Sequence, residues 1–211
     1  MLHLFALVIA LVPAIAMLWY IRHLEKYEPE PWTHIAGAFV AGVLATIPIY
    51  FVEVLLDQIS PFSGFMATVS ISFVVAALVE ETGKGIAAWA ACWRRPQFNE
   101  VMDGIVYFGV THMGFAVVEN LVYVFLNGDI YTGLLTAMVR TTTAVPMHVI
   151  VGMIMGYHAG VVRFAHTRRE KVLHVLEGWV LPSLLHGFYN LGSLNQDMAL
   201  ESLTDLIRYG F

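Results

Sequence analysis

Residues 70–92 read SISFVVAALVEETGKGIAAWAAC, an apolar stretch with two carboxylates and an ammonium group at its centre. A helix of roughly 20 residues crosses a hydrocarbon core, and a charged residue at the core's centre costs roughly 3 kcal/mol on insertion scales. If Glu80, Glu81 and Lys84 all faced lipid, the cost would be on the order of 8–10 kcal/mol. The stretch therefore predicts a membrane helix whose charged face is covered by other helices or reaches water.

The composition of the whole chain is that of a polytopic membrane protein. Of its 211 residues, 58% are hydrophobic and 13% are charged, and the mean hydropathy is +0.71. Soluble domains carry roughly 25% charged residues. The net charge of −5 and the lack of a basic stripe argue against a nucleic-acid partner and leave the lipid bilayer as the environment. Cys92 is the single cysteine, which excludes an intramolecular disulfide.

Six apolar runs are long enough to cross a bilayer. They cover residues 2–21, 34–56, 65–93, 102–126, 134–163 and 174–194. The predicted fold is an all-α transmembrane bundle of about six to seven spans, forming a single integral membrane domain over residues 1–211. No basic residue precedes the first run, and Arg22 and Lys26 follow it, which favours a retained span over a cleaved signal peptide. The tail after the sixth run has Met198, Leu203 and either Leu206 or Ile207 at helical spacing and predicts a short amphipathic segment on the outer interface.

The fifth run contains Pro146, which leaves two interpretations open. Proline lacks a backbone N–H and is at home in the first turn of a helix. A span could therefore begin near Pro146, with the preceding residues forming a half-helix. A single helix with a kink over residues 134–163 is equally allowed.

The basic residues predict an orientation for the bundle. Eight of the 11 lie in the first, third and fifth loops, and none lies in the second or fourth. These eight are Arg22, Lys26, Arg94, Arg95, Arg163, Arg168, Arg169 and Lys171. By the positive-inside rule, the odd loops are cytoplasmic and both termini are outside.

Ionisable residues on other spans lie at a similar predicted depth to the charged stretch. Glu119 is in the fourth run, His148 early in the fifth and His186 midway along the sixth. With the predicted orientation, these residues and Glu80 fall between the middle and the outer side of the bilayer. Intramembrane ionisable residues usually face a bundle interior or a water-filled cavity. The pattern predicts a shared polar cavity open to the outer side.

The residue types in this layer suit hydrolysis. A carboxylate in a partly dry cavity can act as general base toward water, and two histidines with a glutamate can hold Zn²⁺ with one position open. Asn190 follows His186 by one turn and could orient the imidazole or polarise a carbonyl. Lys84 is the structural partner, since it lies at i+4 from Glu80. Because Glu81 is about 100° around the helix, we expect one glutamate to hold Lys84 and the other to face the site.

Less specific interpretations remain. A single membrane histidine is usually an interhelical hydrogen-bonding group, and His112 and His158 are placed in that class. His174 lies near an interface and needs no function. A non-catalytic scaffold would use the polar layer only to lock helix packing. An ion-coupled or proton-coupled transporter is disfavoured because the chain has no internal repeat and its polar groups lie on one side.

Five elements together resemble the PrsW family of intramembrane proteases, within the wider superfamily of CAAX-processing and bacteriocin-immunity (CPBP) proteins. They are EETGK (80–84), DGIVYFG (103–109), GFAVVEN (114–120), PMH (146–148) and LLHGFYN (184–190), and the resemblance spans about residues 76–195. It implies that Glu80 and Glu81 form the catalytic glutamate motif. It also implies that Glu119 belongs to a second motif and that His148 and His186 are the histidine motifs.

The resemblance implies an endopeptidase of a bacterial or archaeal cell membrane. Such proteases cleave a membrane-bound anti-sigma factor on its extracytoplasmic side and so begin regulated intramembrane proteolysis. The expected catalytic set is Glu80, Glu81, Glu119, His148, His186 and Asn190, with His148, His186 and Glu119 as ligands of Zn²⁺. The same residues could activate water without a metal, and the wider superfamily contains a non-catalytic scaffold subunit.

Overall fold

The computed structural model describes the backbone of residues 2–24, 28–126 and 130–209, and within those ranges it contains helices and no strands. The predicted all-α fold is therefore confirmed. The α-helices are α1 (Leu2–Leu24), α2 (Trp32–Ile59), α3 (Gly64–Ser70), α4 (Val79–Cys92), α5 (Val101–Leu126), α6 (Ile130–Thr142), α7 (Ala144–Phe164) and α8 (Arg168–Tyr209). A π-helical segment, Ile71–Leu78, joins α3 to α4.

Four stretches of the described chain are long and apolar enough to cross a membrane. They are Trp32–Ile59, Gly64–Cys92, Val101–Phe125 and Gly133–Phe164. Helix α1 contributes a shorter apolar stretch, Leu7–His23. Four of the predicted spans are therefore supported, whereas the total of six to seven is not confirmed, because α1 and α8 are helices that do not meet the same criterion. The predicted C-terminal segment continues α8 as far as Tyr209, and its side chains lie outside the described part of the chain.

The π-helical segment lies directly before the charged stretch. The sequence predicts one regular helix over residues 65–93, whereas the structure widens Ile71–Leu78 into a π-helix. A π-helix has i→i+5 hydrogen bonds and is most often found near functional sites. Each extra residue in its turns rotates the side chains that follow relative to those that precede. The segment therefore decides which way Glu80 and Glu81 point.

The fifth run is two helices. Helix α6 ends at Thr142, Thr143 has non-helical angles (φ −121°, ψ −64°), and α7 begins at Ala144. Pro146 lies in the first turn of α7, where its missing N–H removes no intrahelical hydrogen bond. The structure therefore agrees with the half-helix interpretation and not with a single kinked helix. His148 lies about one turn after the break.

Helix α5 is the centre of the bundle and packs against α1, α2, α4, α6 and α7. Its contact with α7 is made by glycines. A Cβ added to Gly104 would overlap the backbone carbonyl of Gly156, and a Cβ on Gly156 would overlap that of Gly104. Small residues allow membrane helices to approach this closely. The close approach fixes α7, which carries His148, against α5, which carries Glu119.

We expect Gly156→Val to destabilise the protein, because the side chain cannot enter the α5–α7 contact without separating the two backbones. Overpacking of this kind typically costs about 1–3 kcal/mol. The matched control is Gly192→Ala in α8, where an added Cβ meets nothing within 4 Å. Thermal unfolding in detergent should show a lower midpoint for Gly156→Val and an unchanged or higher one for Gly192→Ala. Equal midpoints would contradict the close backbone contact.

Candidate active site

Four side chains from three helices meet in the interior of the bundle. They are Glu80 and Glu81 of α4, His148 of α7 and His186 of α8, and each offers a ligand atom within 4.8 Å of the others. Each is at most 4% exposed. The sequence predicts a polar cavity open to the outer side, whereas the structure shows these residues closed off from solvent. Their contacts below explain how several ionisable groups share one buried space.

Glu81 is the most heavily bonded member of the cluster. Its Oε1 accepts hydrogen bonds from Lys84 Nζ at 2.6 Å and from His186 Nδ1 at 2.8 Å. Its Oε2 lies 3.0 Å from His112 Nε2. Both oxygens are therefore occupied by partners on three helices. This carboxylate holds the site together and has little capacity left for a substrate or a water molecule.

Glu80 is less constrained than its neighbour. Its Oε2 accepts a hydrogen bond from Lys84 Nζ at 3.1 Å and lies 3.9 Å from His186 Nε2. Glu53, a half-buried residue of α2 that the sequence analysis does not single out, lies close enough to Glu80 for the two carboxylates to interact electrostatically. The expectation that only one glutamate holds Lys84 is wrong, because its ammonium group contacts both. The side chain of Lys84 is long enough to lie between the carboxylates despite their 100° separation.

The hydrogen bond to Glu81 sets the proton position on His186. A carboxylate oxygen can only accept, so His186 Nδ1 carries the proton. In a neutral imidazole the lone pair is then on Nε2, which is the atom that faces Glu80 across 3.9 Å. The cluster thus presents one free imidazole lone pair beside one partly free carboxylate oxygen.

His148 has the opposite arrangement of protons. Its Nδ1 lies 3.1 Å from Lys84 Nζ, which donates, and its Nε2 donates to Glu119 Oε2 at 2.8 Å. Glu119 is also paired with Arg140 Nη2 at 2.9 Å. The predicted site residue Glu119 therefore lies behind His148 rather than among the four converging groups. A carboxylate in this position orients an imidazole.

His112 is a part of the site that sequence reasoning missed. Its Nδ1 donates to the backbone carbonyl of Phe108 at 2.8 Å, and its Nε2 lies 3.0 Å from Glu81 Oε2. Both partners are acceptors, so a proton must lie between His112 and Glu81 for the second contact to form. Its interpretation as an interhelical hydrogen-bonding group is correct, and the partner is a site glutamate. The shared helical face of His112, Phe115 and Glu119 was the available sequence clue.

Asn190 is half-buried and follows His186 by one turn of α8. Its backbone carbonyl accepts a hydrogen bond from Ser193. Among the residues whose side chains the structure describes, none hydrogen-bonds its amide group. Asn190 is thus near the cluster without belonging to it, and its amide is available to a substrate.

The cluster has the donor types that a metal ion needs. Two imidazoles and two carboxylates converge, which suits a divalent transition metal. The ammonium of Lys84 contacts Glu80, Glu81 and His148, so a positive charge already balances the carboxylates. The residues fit a metal by type, and an ion bound by these groups would take over part of the role of Lys84.

Residues 30–209 match the family described as PrsW family intramembrane metalloprotease. The chain belongs to the PrsW family. Protease PrsW of Bacillus subtilis (strain 168) is 31% identical over 206 residues, which cover 97% of this chain and 87% of that protein. Protease PrsW of Geobacillus kaustophilus (strain HTA426) is 33% identical over 179 residues, covering 84% of this chain and 75% of that one.

A third relative, Protease PrsW of Clostridioides difficile (strain 630), is 30% identical over 182 residues, or 86% of this chain and 76% of that protein. No solved structure matches the chain. The PrsW relatives and the membrane helices identify an integral membrane protein of the bacterial cell membrane with peptidase activity. The protein is an intramembrane protease, which decides between the enzymatic interpretation and the scaffold and transporter alternatives.

Proposed function

We propose that this PrsW family protease hydrolyses a peptide bond of a membrane protein near the outer leaflet, with Glu80 as general base. The assignment rests on one observation: the side-chain oxygens of the two glutamates differ in how many close partners they have. Both oxygens of Glu81 have close partners, whereas Glu80 faces the free Nε2 of His186. Glu81 then positions His186 and Lys84, and Glu80 accepts a proton from water and later donates it to the leaving amine.

The separation of 3.9 Å between Glu80 Oε2 and His186 Nε2 suits a shared hydrogen-bond donor. Both atoms are acceptors, and a water molecule that donates one hydrogen to each would be oriented by two residues at once. In the reaction, Glu80 removes a proton from this water and the oxygen attacks the scissile carbonyl. The protonated Glu80 then donates to the leaving amine as the C–N bond breaks.

Three other residues support this step. Lys84 donates to both carboxylates, and its positive charge offsets the negative charge that Glu81 places beside Glu80. Asn190 would donate an amide hydrogen to the developing oxyanion. Glu119 accepts from His148 and holds that ring in position. The full catalytic set is therefore Glu80, Glu81, Glu119, His148, His186 and Asn190, in unequal roles.

A zinc ion is the cofactor we propose for this site. His148 and His186 would hold it with one of the two glutamates, and Glu119 would orient His148 as the partner of a ligating imidazole. When bound, the ion would polarise the scissile carbonyl and lower the cost of deprotonating water. Because Lys84 contacts three of these residues, its ammonium would have to move away from at least one.

The proposal also covers the number of spans, their orientation in the membrane and the substrate. Helices α1 and α8 complete a bundle of six spans, with α8 supplying His186 from its middle. The odd loops carry the basic residues and lie in the cytoplasm, and both termini lie outside. The substrate is a single-span membrane protein of the anti-sigma-factor type, and the CPBP superfamily is the wider group. Since the cluster is closed to solvent, a substrate reaches it only when helices of the bundle separate.

The proposal is tested by comparing new N-termini in membranes that contain wild type, His186→Ala or His166→Ala. His166 is exposed in the loop before α8 and serves as the matched control. We expect fragments cut near the outer end of a transmembrane segment with wild type and His166→Ala, and none with His186→Ala. Cuts at the cytoplasmic end would contradict the orientation, and undiminished cutting by His186→Ala would contradict the mechanism.

The role of the metal is tested on the purified protein reconstituted with a substrate from that experiment. We expect a membrane-permeant chelator to stop cleavage and added zinc to restore it, because His148 and His186 lose their ion. Elemental analysis before and after chelation gives the amount of metal bound. Full activity in metal-free protein would assign water activation to Glu80 and His186 alone.

A further inference from the structure

A second group of metal-ligating side chains lies away from the catalytic cluster, where α7 meets α8. His158 lies within two turns of the end of α7, and His174 and Glu177 lie in the first three turns of α8. Each of the three offers a ligand atom within 4.8 Å of the others. We propose that His158, His174 and Glu177 form a binding site for a zinc-like divalent ion that fastens α7 to α8.

The distances within this group match one face of a metal coordination shell. His158 Nδ1 and His174 Nδ1 are 3.1 Å apart, and they lie 3.5 Å and 3.0 Å from Glu177 Oε2. Ligands bound to zinc at about 2.0–2.1 Å in a tetrahedron are about 3.3 Å from one another. Three ligand atoms are thus already at the spacing that one ion requires.

Hydrogen bonds among these three atoms cannot satisfy all of them. The carboxylate oxygen of Glu177 only accepts, and a single N–H on one ring can point at one of its two neighbours but not at both. If both Nδ1 atoms carried protons, two N–H groups would face each other at 3.1 Å. A divalent ion accepts a lone pair from all three atoms at once, which removes the conflict.

The surroundings allow an ion to enter and to complete its coordination. Glu177 is 49% exposed and His174 is 29% exposed, whereas His158 is 12% exposed. Both histidines line a cavity of about 230 Å³, together with Trp89, Trp93 and Trp179. The exposed side of Glu177 and His174 gives the ion a route from the surface and lets a water molecule bind as fourth ligand. Two imidazoles with one carboxylate favour zinc over the oxygen-binding magnesium and calcium ions.

The backbone brings the two imidazoles together. A Cβ on Gly178 would overlap the side chain of His158, so α8 approaches α7 very closely at this point. One residue further along, Trp179 Nε1 donates to Thr82 Oγ1 at 2.8 Å, next to Glu81. An ion that fastens α8 here would hold the helix that also carries His186. The proposed metal site would therefore fix the position of α8 without taking part in peptide hydrolysis.

The test measures zinc binding in a background where the catalytic cluster is disabled. The His186→Ala protein in detergent is stripped of metal and titrated with zinc alone. The same titration is made on two double variants, in which His186→Ala is combined with His174→Ala or with His166→Ala. We expect the His186→Ala protein to bind one ion and the His166→Ala addition to change nothing. We expect His174→Ala to weaken binding by more than ~100-fold, since even outer partners of metal ligands cost 10–100-fold.

A rescue experiment separates ligand loss from general disruption. His174→Cys keeps a zinc ligand at the position and should retain binding, whereas Glu177→Gln should weaken it. Zinc should also raise the unfolding temperature of the His186→Ala protein and lose this effect when His174→Ala is added. No zinc binding by the His186→Ala protein, or binding unaffected by His174→Ala, would overturn the proposal.

Discussion

Glu80→Gln is expected to reduce proteolysis by roughly 10²–10⁴-fold, the usual contribution of a general base. Glutamine has nearly the same shape but cannot take a proton from water. The fold should survive, because Lys84 keeps its contacts with Glu81 and His148 when Glu80 is neutral. The measurement is the initial rate of substrate cleavage in liposomes, with the unfolding midpoint recorded alongside.

The matched control for this experiment is Asp57→Asn, an exposed carboxylate at the end of α2, which should cleave at the wild-type rate. Glu81→Gln provides the comparison within the site. It should also lose activity, but with a lower unfolding midpoint, since Glu81 contacts Lys84, His112 and His186. An active Glu80→Gln protein beside an inactive but fully stable Glu81→Gln protein would give the base role to Glu81 instead.

The sequence predicts the elements of this fold well because each depends on local composition. The first five apolar runs give helical segments at nearly the predicted bounds, whereas α8 extends well beyond the sixth run at both ends. Pro146 lies just after the break in the fifth run. The π-helical segment Ile71–Leu78 could not be predicted, because its residues are equally compatible with a regular helix. The predicted count of six to seven spans is not reached by length and hydropathy, because α1 and α8 do not meet the criterion that four other stretches meet.

The sequence predicts which residues form the site but not which of them contact one another. Energetic cost alone identifies Glu80, Glu81 and His186 as residues that must face the interior. Which of them touch depends on helix rotation and on glycine contacts between helices. Those features place Glu119 behind His148 and bring His112 to Glu81. Periodicity within one helix shows which side chains share a face but not which residues of another helix they contact.

Lys84→Met is the substitution with the largest expected effect on stability. Lys84 is fully buried and its ammonium group contacts Glu80, Glu81 and His148. Methionine keeps the volume of the side chain but leaves two carboxylates close together without a cation between them. Removing one partner of a buried ion pair typically costs about 3–5 kcal/mol. Lys171→Met, at an exposed lysine in α8, is the control and should change stability little.

The origin of this loss can be isolated by adding Glu81→Gln to Lys84→Met. Glutamine at position 81 removes the uncompensated charge, so the double variant should be more stable than the sum of the two single losses predicts. Coupling between residues in direct contact is usually about 0.5–3 kcal/mol. We expect the upper part of that range, because the Lys84–Glu81 contact is short and fully buried. The measurement is denaturant unfolding in mixed micelles of all four proteins. Additive losses would mean that Lys84 stabilises α4 through its apolar stem, and that the carboxylates are neutralised by His112 and His186 instead.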